Sequence, residues 1–264
     1  MNPSISFIFV NFRSAGLIEH SIQALRALVD SQITAEYLIV NNDLDEREAI
    51  GRIGLSFPGV EIIHMDRNEG FGKANNLAGN RATGEILFFI NPDTCLLQAN
   101  FLGLIAAFRF RPKAIYGMAL TQVSGSREPW SAGVFPSLAR IVSANLFPRV
   151  LPKPWEANMI AKTDWVSGAA CAIRRDFFLS LGGFDETFFL YFEDVDLARR
   201  ASALGGWVGV YPFLIFQHIG GQSHESQRAK KRAYYAGQQR YFEKWRPSYE
   251  QKLLDLGHRA RLIL

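Results

Sequence analysis

The stretch from residue 86 to residue 94 reads ILFFINPDT and passes from five apolar residues directly into an Asn-Pro-Asp turn. An apolar run of this length, bounded by turn residues, predicts a strand that is buried on both faces. Pro92 restricts the turn, so Asp93 should project from the carboxyl end of that strand. The carboxylate of Asp93 suits either a divalent metal ion that also binds water and phosphates or the cap of a following helix, and the tripeptide alone leaves both open.

Three similar apolar runs precede this stretch, and polar residues follow each of them. Segments with helical spacing of apolar residues, such as Leu17, Ile18 and Ile22, separate the runs. The alternation predicts an α/β fold with a mostly parallel central sheet that helices cover on both faces. Because such sheets bind ligands beyond the carboxyl ends of their strands, we expect the site at that edge. The runs are residues 5–10, 37–40 and 60–65, and the polar residues after them begin at Asn11, Asn41 and Asp66.

The second half of the chain is organised differently. Five of the eleven prolines fall within residues 129–155, which predicts an irregular excursion that forms a lid or an acceptor-side segment. A strand pattern over residues 165–173, a helix over 193–204 and a strand over 208–216 follow. From residue 226 the pattern is helical, with one side formed by Tyr234, Tyr235, Gln238, Tyr241, Phe242 and Trp245. We therefore divide the chain into a catalytic domain, residues 1–225, and a basic helical tail, residues 226–264.

Composition limits the class of protein. Of 264 residues, 48% are hydrophobic and 20% are charged, which excludes intrinsic disorder and disulfide-rich miniatures. Cys95 and Cys171 lie far apart without the spacing of metal ligands, so we expect free thiols in a reducing compartment. The first ten residues lack signal-peptide features, and the longest apolar run, residues 207–216, is about half the roughly 20 residues of a membrane helix. These features predict a soluble cytoplasmic protein.

The net charge of +4 is concentrated at the C-terminus, where residues 225–264 contain ten Lys or Arg against four Asp or Glu. A basic cluster beside an aromatic helix face suits an anionic membrane surface, so peripheral contact with the inner face of the cell membrane is one interpretation. Packing of the helix on the catalytic domain is the other. No nucleic-acid partner is expected, because the body lacks a matching basic pattern. The cluster is Arg228, Lys230, Lys231 and Arg232.

Two common nucleotide-binding motifs are excluded. The segment after the first strand, residues 11–16, lacks the glycines of a dinucleotide fold. The glycines around Lys73 are too closely spaced for a phosphate-binding loop, and the hydroxyl residue of that motif is missing.

Acidic residues follow an aromatic run at residues 188–192, which would place carboxylates at the mouth of an apolar pocket. Asp194 and Asp196 cannot share one helix face, because residues two apart point in different directions. One is therefore catalytic and the other structural, or both complement the helix N-terminus. His218 follows the last apolar strand and precedes two glycines, which suits either a ligand contact or a structural histidine.

Five short motifs occur in order along the chain: VNFRS at residues 10–14, NEGFGKANN at 68–76, NPD at 91–93, WVSGA at 165–169 and, within 183–197, GFDE followed by YFEDVDL. Together they resemble the family 2 glycosyltransferases of the GT-A fold, and within them the bacterial rhamnosyltransferase-like group. The resemblance extends over roughly residues 4–245. It implies transfer of a sugar from a nucleoside diphosphate to an acceptor hydroxyl, with inversion at the anomeric carbon.

The resemblance also implies roles for individual residues. Asp93 occupies the position of the family's metal motif, where it would hold Mg²⁺ or Mn²⁺ against the diphosphate and neutralise the leaving group. His218 matches a histidine that gives a further metal or diphosphate contact. Asp194 matches the general base that removes the proton from the acceptor hydroxyl.

The same resemblance implies contacts to the sugar-nucleotide donor. Asn11 and Arg13 lie in the loop expected around the base and ribose. Asn41 replaces the usual Asp that accepts the N3–H of uracil or thymine, and its amide oxygen is able to accept the same proton. We expect Glu193 and Trp165 on the acceptor side. The other expected donor contacts are Asn68, Lys73, Asn76, Asn91, Ser167 and Gly168.

The sequence is therefore interpreted as a metal-dependent inverting glycosyltransferase of bacterial cell-surface polysaccharide synthesis. The expected donor is dTDP-L-rhamnose, and the expected acceptor is a growing glycan or a lipid-linked sugar. A UDP-hexose or UDP-N-acetylhexosamine donor is the nearest alternative. The other alternative is a catalytically silent subunit that binds a sugar nucleotide. The replacement of the usual Asp by Asn41 leaves this alternative open, whereas the presence of Asp93, Asp194 and His218 argues against it.

Overall fold

A computed structural model describes residues 4–146, 152–220 and 226–263, in which helices cover both faces of a central sheet. The strands are β1 Ser4–Asn11, β2 Thr34–Asn41, β3 Val60–His64, β4 Ile86–Ile90, β5 Thr94–Gln98, β6 Ala114–Thr121, β7 Ala132–Gly133, β8 Ala161–Lys162, β9 Trp165–Val166, β10 Ala170–Arg174 and β11 Trp207–His218. The helices are α1 Ala15–Leu28, α2 Arg47–Ser56, α3 Phe71–Arg81, α4 Phe101–Phe110, α5 Leu138–Leu146, α6 Arg175–Ser180, α7 Glu193–Ala203, α8 Gln227–Trp245 and α9 Ser248–Ile263.

The central sheet is mixed and mostly parallel, as predicted. Within the described residues it has nine strands in the order β3-β2-β1-β4-β10-β6-β11-β5, and β8 pairs with the side of β11. Strands β1 to β4 pair in parallel, and helices form the crossovers between them. Strand β10 runs antiparallel to both β4 and β6, and β5 runs antiparallel to β11. The carboxyl ends of β1, β2 and β4 lie at one edge.

The single strand predicted over residues 165–173 is instead two strands. The Ser-Gly-Ala turn at residues 167–169 separates β9, which pairs with β7, from β10 in the main sheet. Backbone groups of this turn bond elsewhere: Ser167 N–H donates to the carbonyl of Ser131, and the carbonyl of Ala169 accepts from Asn91 N–H. The small side chains let the turn lie close to the end of β4, so the interruption belongs to the site.

The core consists of two apolar layers, one on each face of the sheet. Side chains such as Phe7 and Phe88 pack under α1 and α4 on one face, and Ile8 and Phe89 pack under α3, α6 and α7 on the other. All four side chains are fully buried. This alternation of consecutive residues between two covered faces explains why the strand sequences are apolar throughout.

Helix α8 packs against the loop that precedes α7, and the two share a third apolar cluster that includes Phe192, Val195 and Tyr241. The contact is close at Gly237, where an added Cβ would lie 2.5 Å from the carbonyl oxygen of Tyr191. Tyr241 and Phe242 of the predicted aromatic side therefore pack in this cluster with Phe192 and Val195, whereas Tyr235 stacks on His258 of α9. Among the described residues, no helix is long and apolar enough to cross a bilayer.

The proline-rich excursion contains short elements rather than a continuous irregular segment. Strand β7, helix α5 and a 3-10 turn at Pro154–Glu156 lie within it, and the rings of Trp130 and Trp155 are 5.1 Å apart. Residues 147–151 of the excursion and Gly221 after His218 lie outside the described residues. Neither cysteine forms a disulfide, with Cys171 buried and Cys95 half-buried.

Candidate active site

A cavity of about 960 Å³ lies at the carboxyl edge of the sheet, where the sequence predicted a site. One wall comes from the strand ends and the start of α7, and the other comes from α5, α8 and α9. The cavity brings together most of the predicted site residues. Those that line it are Asn68, Asn91, Asp93, Trp165, Ser167, Gly168, Glu193, Asp194 and His218.

Asp93 and His218 meet because of strand register. Thr94 at the start of β5 pairs with His218 at the end of β11, and Ile219 N–H donates to the carbonyl of Asp93. The Oδ1 atom of Asp93 lies 3.3 Å from Nε2 of His218. Strand β5 follows Asp93 directly, so the structure excludes the helix cap that the tripeptide alone left open.

The other ring nitrogen of His218 contacts Glu128, a residue that the sequence did not single out. Its Oε2 lies 2.8 Å from Nδ1 of His218, and Glu128 is placed by a bond from its N–H to the carbonyl of Leu120. Burial favours a neutral imidazole, but the hydrogen bonds and charges of Asp93 and Glu128 outweigh it and raise the pKa of His218 to about 9. Glu128 therefore fixes the orientation of the ring.

The side chains of Asp93 and His218 are suitable ligands for a hard divalent cation. A carboxylate and an imidazole are ligands for Mn²⁺, and Mg²⁺ accepts the carboxylate with water and phosphate oxygens. No group of three or more His, Cys, Asp or Glu side chains within residues 4–146, 152–220 and 226–263 is arranged as a metal site. The buried Oδ1 of Asn91, which accepts no hydrogen bond from the described residues, is a further oxygen on this wall.

Asp194 lies in the first turn of α7, where the helix dipole favours a carboxylate. Its Oδ2 accepts a 2.8 Å hydrogen bond from Gly168 N–H, and its Oδ1 accepts one of 2.8 Å from Val195 N–H. Burial raises the pKa of Asp194, although the two backbone bonds oppose that shift. A held carboxylate with a raised pKa, at the wall of a cavity, has the properties of a general base.

Glu193 also lines the cavity and is 4% exposed. Its buried Oε2 has no hydrogen-bond partner among the described residues. Burial, and after it the charge of Asp194, raises the pKa of Glu193 well above the usual value for a carboxyl group. The positive φ angles of Tyr191 and Phe192, 69° and 70°, turn the chain sharply into α7 and bring both acids to the wall.

Asp196 has a structural position, which resolves the alternatives for the two aspartates. It is fully buried and accepts hydrogen bonds from Arg200 Nε and Trp245 Nε1, both 2.7 Å long. The ammonium group of Lys244 lies 2.7 Å from Asp196 Oδ1. Asp196 therefore ties α8 to α7, and Asp194 is the aspartate that faces the cavity.

The end of the cavity near β1 and β2 differs from the prediction. Asn11 and Asn41 do not line it: they are buried beside each other, and Asn11 Nδ2 donates to Asn41 Oδ1 over 2.9 Å. Since Asn41 Oδ1 also accepts from Asp43 N–H, its oxygen is already used within the protein. The residues that reach the cavity are their neighbours, Phe12 and Asn42. The amide of Asn42 donates to Asn68 Oδ1 over 2.9 Å and so holds Asn68, one of the predicted donor contacts, at the cavity wall.

Three other predicted donor contacts also lie away from the cavity wall. Asn76 accepts from Phe184 N–H and donates to the carbonyl of the same residue, so its amide packs α3 against the loop before α7. Lys73 pairs with Glu69 one turn earlier, at 2.8 Å. Arg13 is exposed, with its guanidinium 5.2 Å from the centre of the Phe12 ring. Asn76 is thus bonded within the protein, and Lys73 forms a surface ion pair.

The opposite wall was not predicted, because it combines distant segments. Trp165, expected on the acceptor side, lies at the join between the walls and donates from Nε1 to the carbonyl of Val134. Beyond it the lining consists of Leu138, Arg140, Ile141, Ala144 and Asn145 of α5, Lys230, Ala233, Tyr234, Tyr235 and Gln238 of α8, and Leu253, Leu254, Gly257 and His258 of α9.

Solved structures place this architecture in one class. A GalNAc-T7 structure with UDP, GalNAc and Mn²⁺ has a TM-score of 0.71 at 14% identity, covering 94% of this chain and 49% of that chain. The mannosyltransferase PcManGT from Pyrobaculum calidifontis, with GDP-Man and Mn²⁺, has a TM-score of 0.63 at 16% identity, covering 92% of this chain and 64% of that chain. The fold is therefore the GT-A fold of nucleotide-diphospho-sugar transferases.

The chain belongs to glycosyl transferase family 2, whose sequence profile matches residues 6–178. An N-acetylglucosaminyl-diphospho-decaprenol L-rhamnosyltransferase of Mycobacterium tuberculosis is 30% identical in a 179-position alignment that covers 59% of this chain and 57% of the relative. The rhamnosyltransferase WbbL of Escherichia coli K12 is 27% identical over 64% of this chain and 67% of its own. The chain thus spans little more than half the length of the mycobacterial relative. Asp194, His218 and the C-terminal helices lie beyond the family match.

Proposed function

We propose that this chain is a metal-dependent inverting glycosyltransferase that moves L-rhamnose from dTDP-L-rhamnose to a hydroxyl of a cell-surface glycan or lipid-linked acceptor. The observation that carries the proposal is the presence of Asp93, His218 and Asp194 on one wall of one cavity. The rhamnosyltransferase relatives support rhamnose as the sugar. The complete set of acidic and imidazole groups favours an enzyme over a silent binding subunit.

In this mechanism the acceptor hydroxyl attacks the anomeric carbon from the side opposite the diphosphate. The new bond forms between the acceptor oxygen and the anomeric carbon, the bond from that carbon to the diphosphate oxygen breaks, and Asp194 takes the hydroxyl proton. The Gly168 N–H holds the Asp194 carboxylate in place for this transfer. Inversion follows because there is a single displacement.

Asp93 and His218 would hold the divalent cation, and Glu128 would orient the imidazole. When bound, Mg²⁺ or Mn²⁺ supplies positive charge that stabilises the leaving diphosphate. At the other end of the donor, the Phe12 ring and the side chain of Asn68 would face the base and ribose, and the buried amide of Asn42 would hold Asn68 in place.

The first test is calorimetric titration with dTDP and with UDP, in the presence of Mn²⁺ and then with EDTA. Metal-dependent binding that is tighter for dTDP than for UDP is the expected result. Preference for UDP would leave the glycosyltransferase assignment unchanged and indicate a UDP-hexose or UDP-N-acetylhexosamine as the donor. Failure of both nucleotides to bind would refute the proposed function.

Peripheral membrane contact through the basic part of the tail is also proposed. Arg228, Lys231 and Arg232 are exposed at the start of α8, where anionic headgroups could reach them. Because α8 contributes to the apolar cluster with Phe192, deletion from residue 226 would uncover that cluster. Replacement of the three basic side chains by Gln is the better test, with flotation on phosphatidylglycerol vesicles as the measurement. Flotation of the variant equal to that of wild type would contradict membrane contact through these three side chains.

A further inference from the structure

Two tryptophans lie together at the cavity wall, and one of them is exposed. Trp130 and Trp155 both line the cavity, and their ring centres are 5.1 Å apart. Trp155 is 7% exposed, whereas Trp130 is 53% exposed. A tryptophan ring is normally well buried, because it carries a large apolar area. An exposed ring that packs on a buried one, at the wall of a substrate cavity, indicates a surface that a ligand covers.

The backbone at Trp130 is strained. Residues 128–131 form a turn in which the hydroxyl of Ser131 donates to the carbonyl of Glu128 over 3.0 Å, with Pro129 second and Trp130 third. The φ angle of Trp130 is 63°. A turn with proline second and a positive φ third normally has glycine or asparagine there, because other side chains are crowded in that conformation. Such strain persists only where the surrounding structure holds it, and it is concentrated at functional sites.

Both ends of this turn are bonded to the candidate active site. At one end, Glu128 contacts Nδ1 of His218 at 2.8 Å. At the other end, the carbonyl of Ser131 accepts a 2.8 Å hydrogen bond from Ser167 N–H, and the next N–H along the chain holds the carboxylate of the proposed base. Because consecutive Cα atoms are about 3.8 Å apart, the Cα of Trp130 lies no more than about 7.6 Å from that of Glu128. The position of Trp130 is therefore fixed between the metal side of the cavity and the turn that holds the base.

We propose that the rings of Trp130 and Trp155, which we call the tryptophan platform, bind a pyranose ring of the acceptor by stacking on the exposed indole of Trp130. This inference rests on the proposed function and assigns the part of the cavity that takes the acceptor sugar. The axial C–H groups of a pyranose form an apolar, partially positive face, which is complementary to the negative face of an aromatic ring. The hydroxyl groups at the rim of the sugar stay available, one of them for the proposed base.

The position of the platform favours the acceptor over the donor. The strand after the turn, β7, pairs with β9, and Gly133 is the register partner of Trp165, which the sequence analysis expected on the acceptor side. In the proposed mechanism the donor is bound from the strand ends, with its base at Phe12 and its diphosphate at Asp93. The tryptophan platform therefore belongs to the part of the wall that the nucleotide leaves open.

The experiment uses the full chain labelled with 5-fluorotryptophan and saturated with dTDP and Mg²⁺, observed by ¹⁹F NMR. The probe is methyl β-D-glucopyranoside, whose ring hydroxyls are all equatorial, so that both faces present axial C–H groups. Millimolar probe should shift the signal of Trp130, which the variant Trp130→Phe identifies, and leave the signal of Trp207 in place, since Trp207 is not part of the cavity lining. Glycerol at equal concentration has hydroxyl groups but no pyranose face and should shift neither signal.

Three variants measure the contribution of the ring. Trp130→Gly removes the indole and suits the positive φ, so the turn should keep its conformation. Saturation-transfer NMR should show that this variant binds the pyranoside about tenfold or more weakly than wild type does. Trp130→Phe retains an aromatic face and should restore most of the affinity. Phe110→Ala removes an aromatic ring that is 77% exposed and outside the cavity lining, and should leave the affinity unchanged.

Calorimetry with dTDP and with dTDP-L-rhamnose separates the acceptor from the donor. Trp130→Gly should bind both as wild type does, which also shows that the variant is folded. Loss of affinity for dTDP-L-rhamnose alone would assign the ring to the donor sugar, and loss for dTDP would assign it to the nucleotide, so either result would overturn the inference. Equal pyranoside binding by Trp130→Gly and wild type would also overturn it. Failure of the wild type to bind dTDP or UDP, in contrast, would refute the proposed function itself.

Discussion

Oε2 of Glu128 lies 2.8 Å from Nδ1 of His218, while Nε2 of the same ring faces Asp93 at 3.3 Å. The imidazole is thus held between a carboxylate that orients it and one that would share a metal ion with it. Partners that orient a histidine ligand typically change metal affinity when they are removed. The role of Glu128 is therefore open to a direct test.

Glu128→Ala should lower the affinity of the dTDP-bound protein for Mn²⁺ by about 10- to 100-fold, because the imidazole loses its fixed orientation. Electron paramagnetic resonance of free Mn²⁺ during a titration measures the change. Glu61→Ala removes a carboxylate whose side chain is 44% exposed, and should leave the affinity unchanged. Identical Mn²⁺ affinity in the Glu128 variant and wild type would show that Glu128 does not act on the metal site.

Asp194→Asn should lower the rate of sugar transfer by about 10²- to 10⁴-fold and preserve dTDP binding, because the amide keeps the shape of the side chain and loses the proton acceptor. Asp176→Asn is the matched control: Asp176 also lies in the first turn of a helix and accepts a backbone hydrogen bond, but its side chain is 66% exposed and outside the cavity. A single-turnover assay with saturating donor gives the comparison. Full activity in Asp194→Asn would remove Asp194 as the base.

Asp196→Ala should act on folding rather than on proton transfer. The substitution leaves Arg200 without its buried carboxylate, while Lys244 keeps its salt bridge to Asp185, and removal of one member of a buried pair typically costs about 3–5 kcal/mol. Urea denaturation measures the free energy of unfolding. A variant as stable as the wild type would show that the tie between α7 and α8 contributes little.

The sequence was sufficient to predict the half of the fold that is made of buried parallel strands. The run at Ile86–Ile90 is a strand with the predicted bounds, because a strand covered on both faces has to be apolar at every position. The same reasoning missed β5, although it follows the Asn-Pro-Asp turn directly, and it missed α4 and β6, which no comparably clear turn signal marks. It also predicted one strand over residues 165–173, because small residues such as those at the turn are also typical of a tightly packed core strand.

Predicting the site required information that local patterns do not contain. The motif after β2 includes two asparagines, and only the tertiary structure shows that Asn42 reaches the cavity while Asn41 is buried against Asn11. Glu128 is 90 residues from His218 in sequence, so their contact depends on the pairing of β6 with β11. The cavity wall formed by α5, α8 and α9 depends on how three separate helices pack, which no single helical pattern specifies.

Gly237→Ala should separate α8 from the loop before α7, because the new Cβ would lie 2.5 Å from the carbonyl oxygen of Tyr191. We expect a loss of about 1–3 kcal/mol in the free energy of unfolding, the usual range for forcing extra volume into a packed contact. Gly51→Ala, in α2 with nothing near the new Cβ, should instead stabilise the protein by about 0.5–1 kcal/mol. Thermal or urea unfolding of the two variants is the measurement, and equal effects would contradict the close approach.

Glu193→Gln should make the protein relatively more stable as the pH rises. Burial and the charge of Asp194 raise the pKa of Glu193 in the folded protein, so the folded state binds a proton more tightly than the unfolded state. Above the unfolded pKa, roughly 4.3, the folded wild type must either keep that proton or bury a charge, and its stability falls with increasing pH. Glutamine does not titrate, so the stability of the variant does not fall with increasing pH for this reason.

The measurement is urea denaturation of wild type and Glu193→Gln at several pH values from about 4 to about 8. The difference in unfolding free energy should shift in favour of the variant across this range. If the Glu193 curve runs parallel to wild type, the carboxyl is hydrated or paired in solution. Its unpartnered Oε2 would then no longer distinguish Glu193 from an ordinary helix-terminal acid.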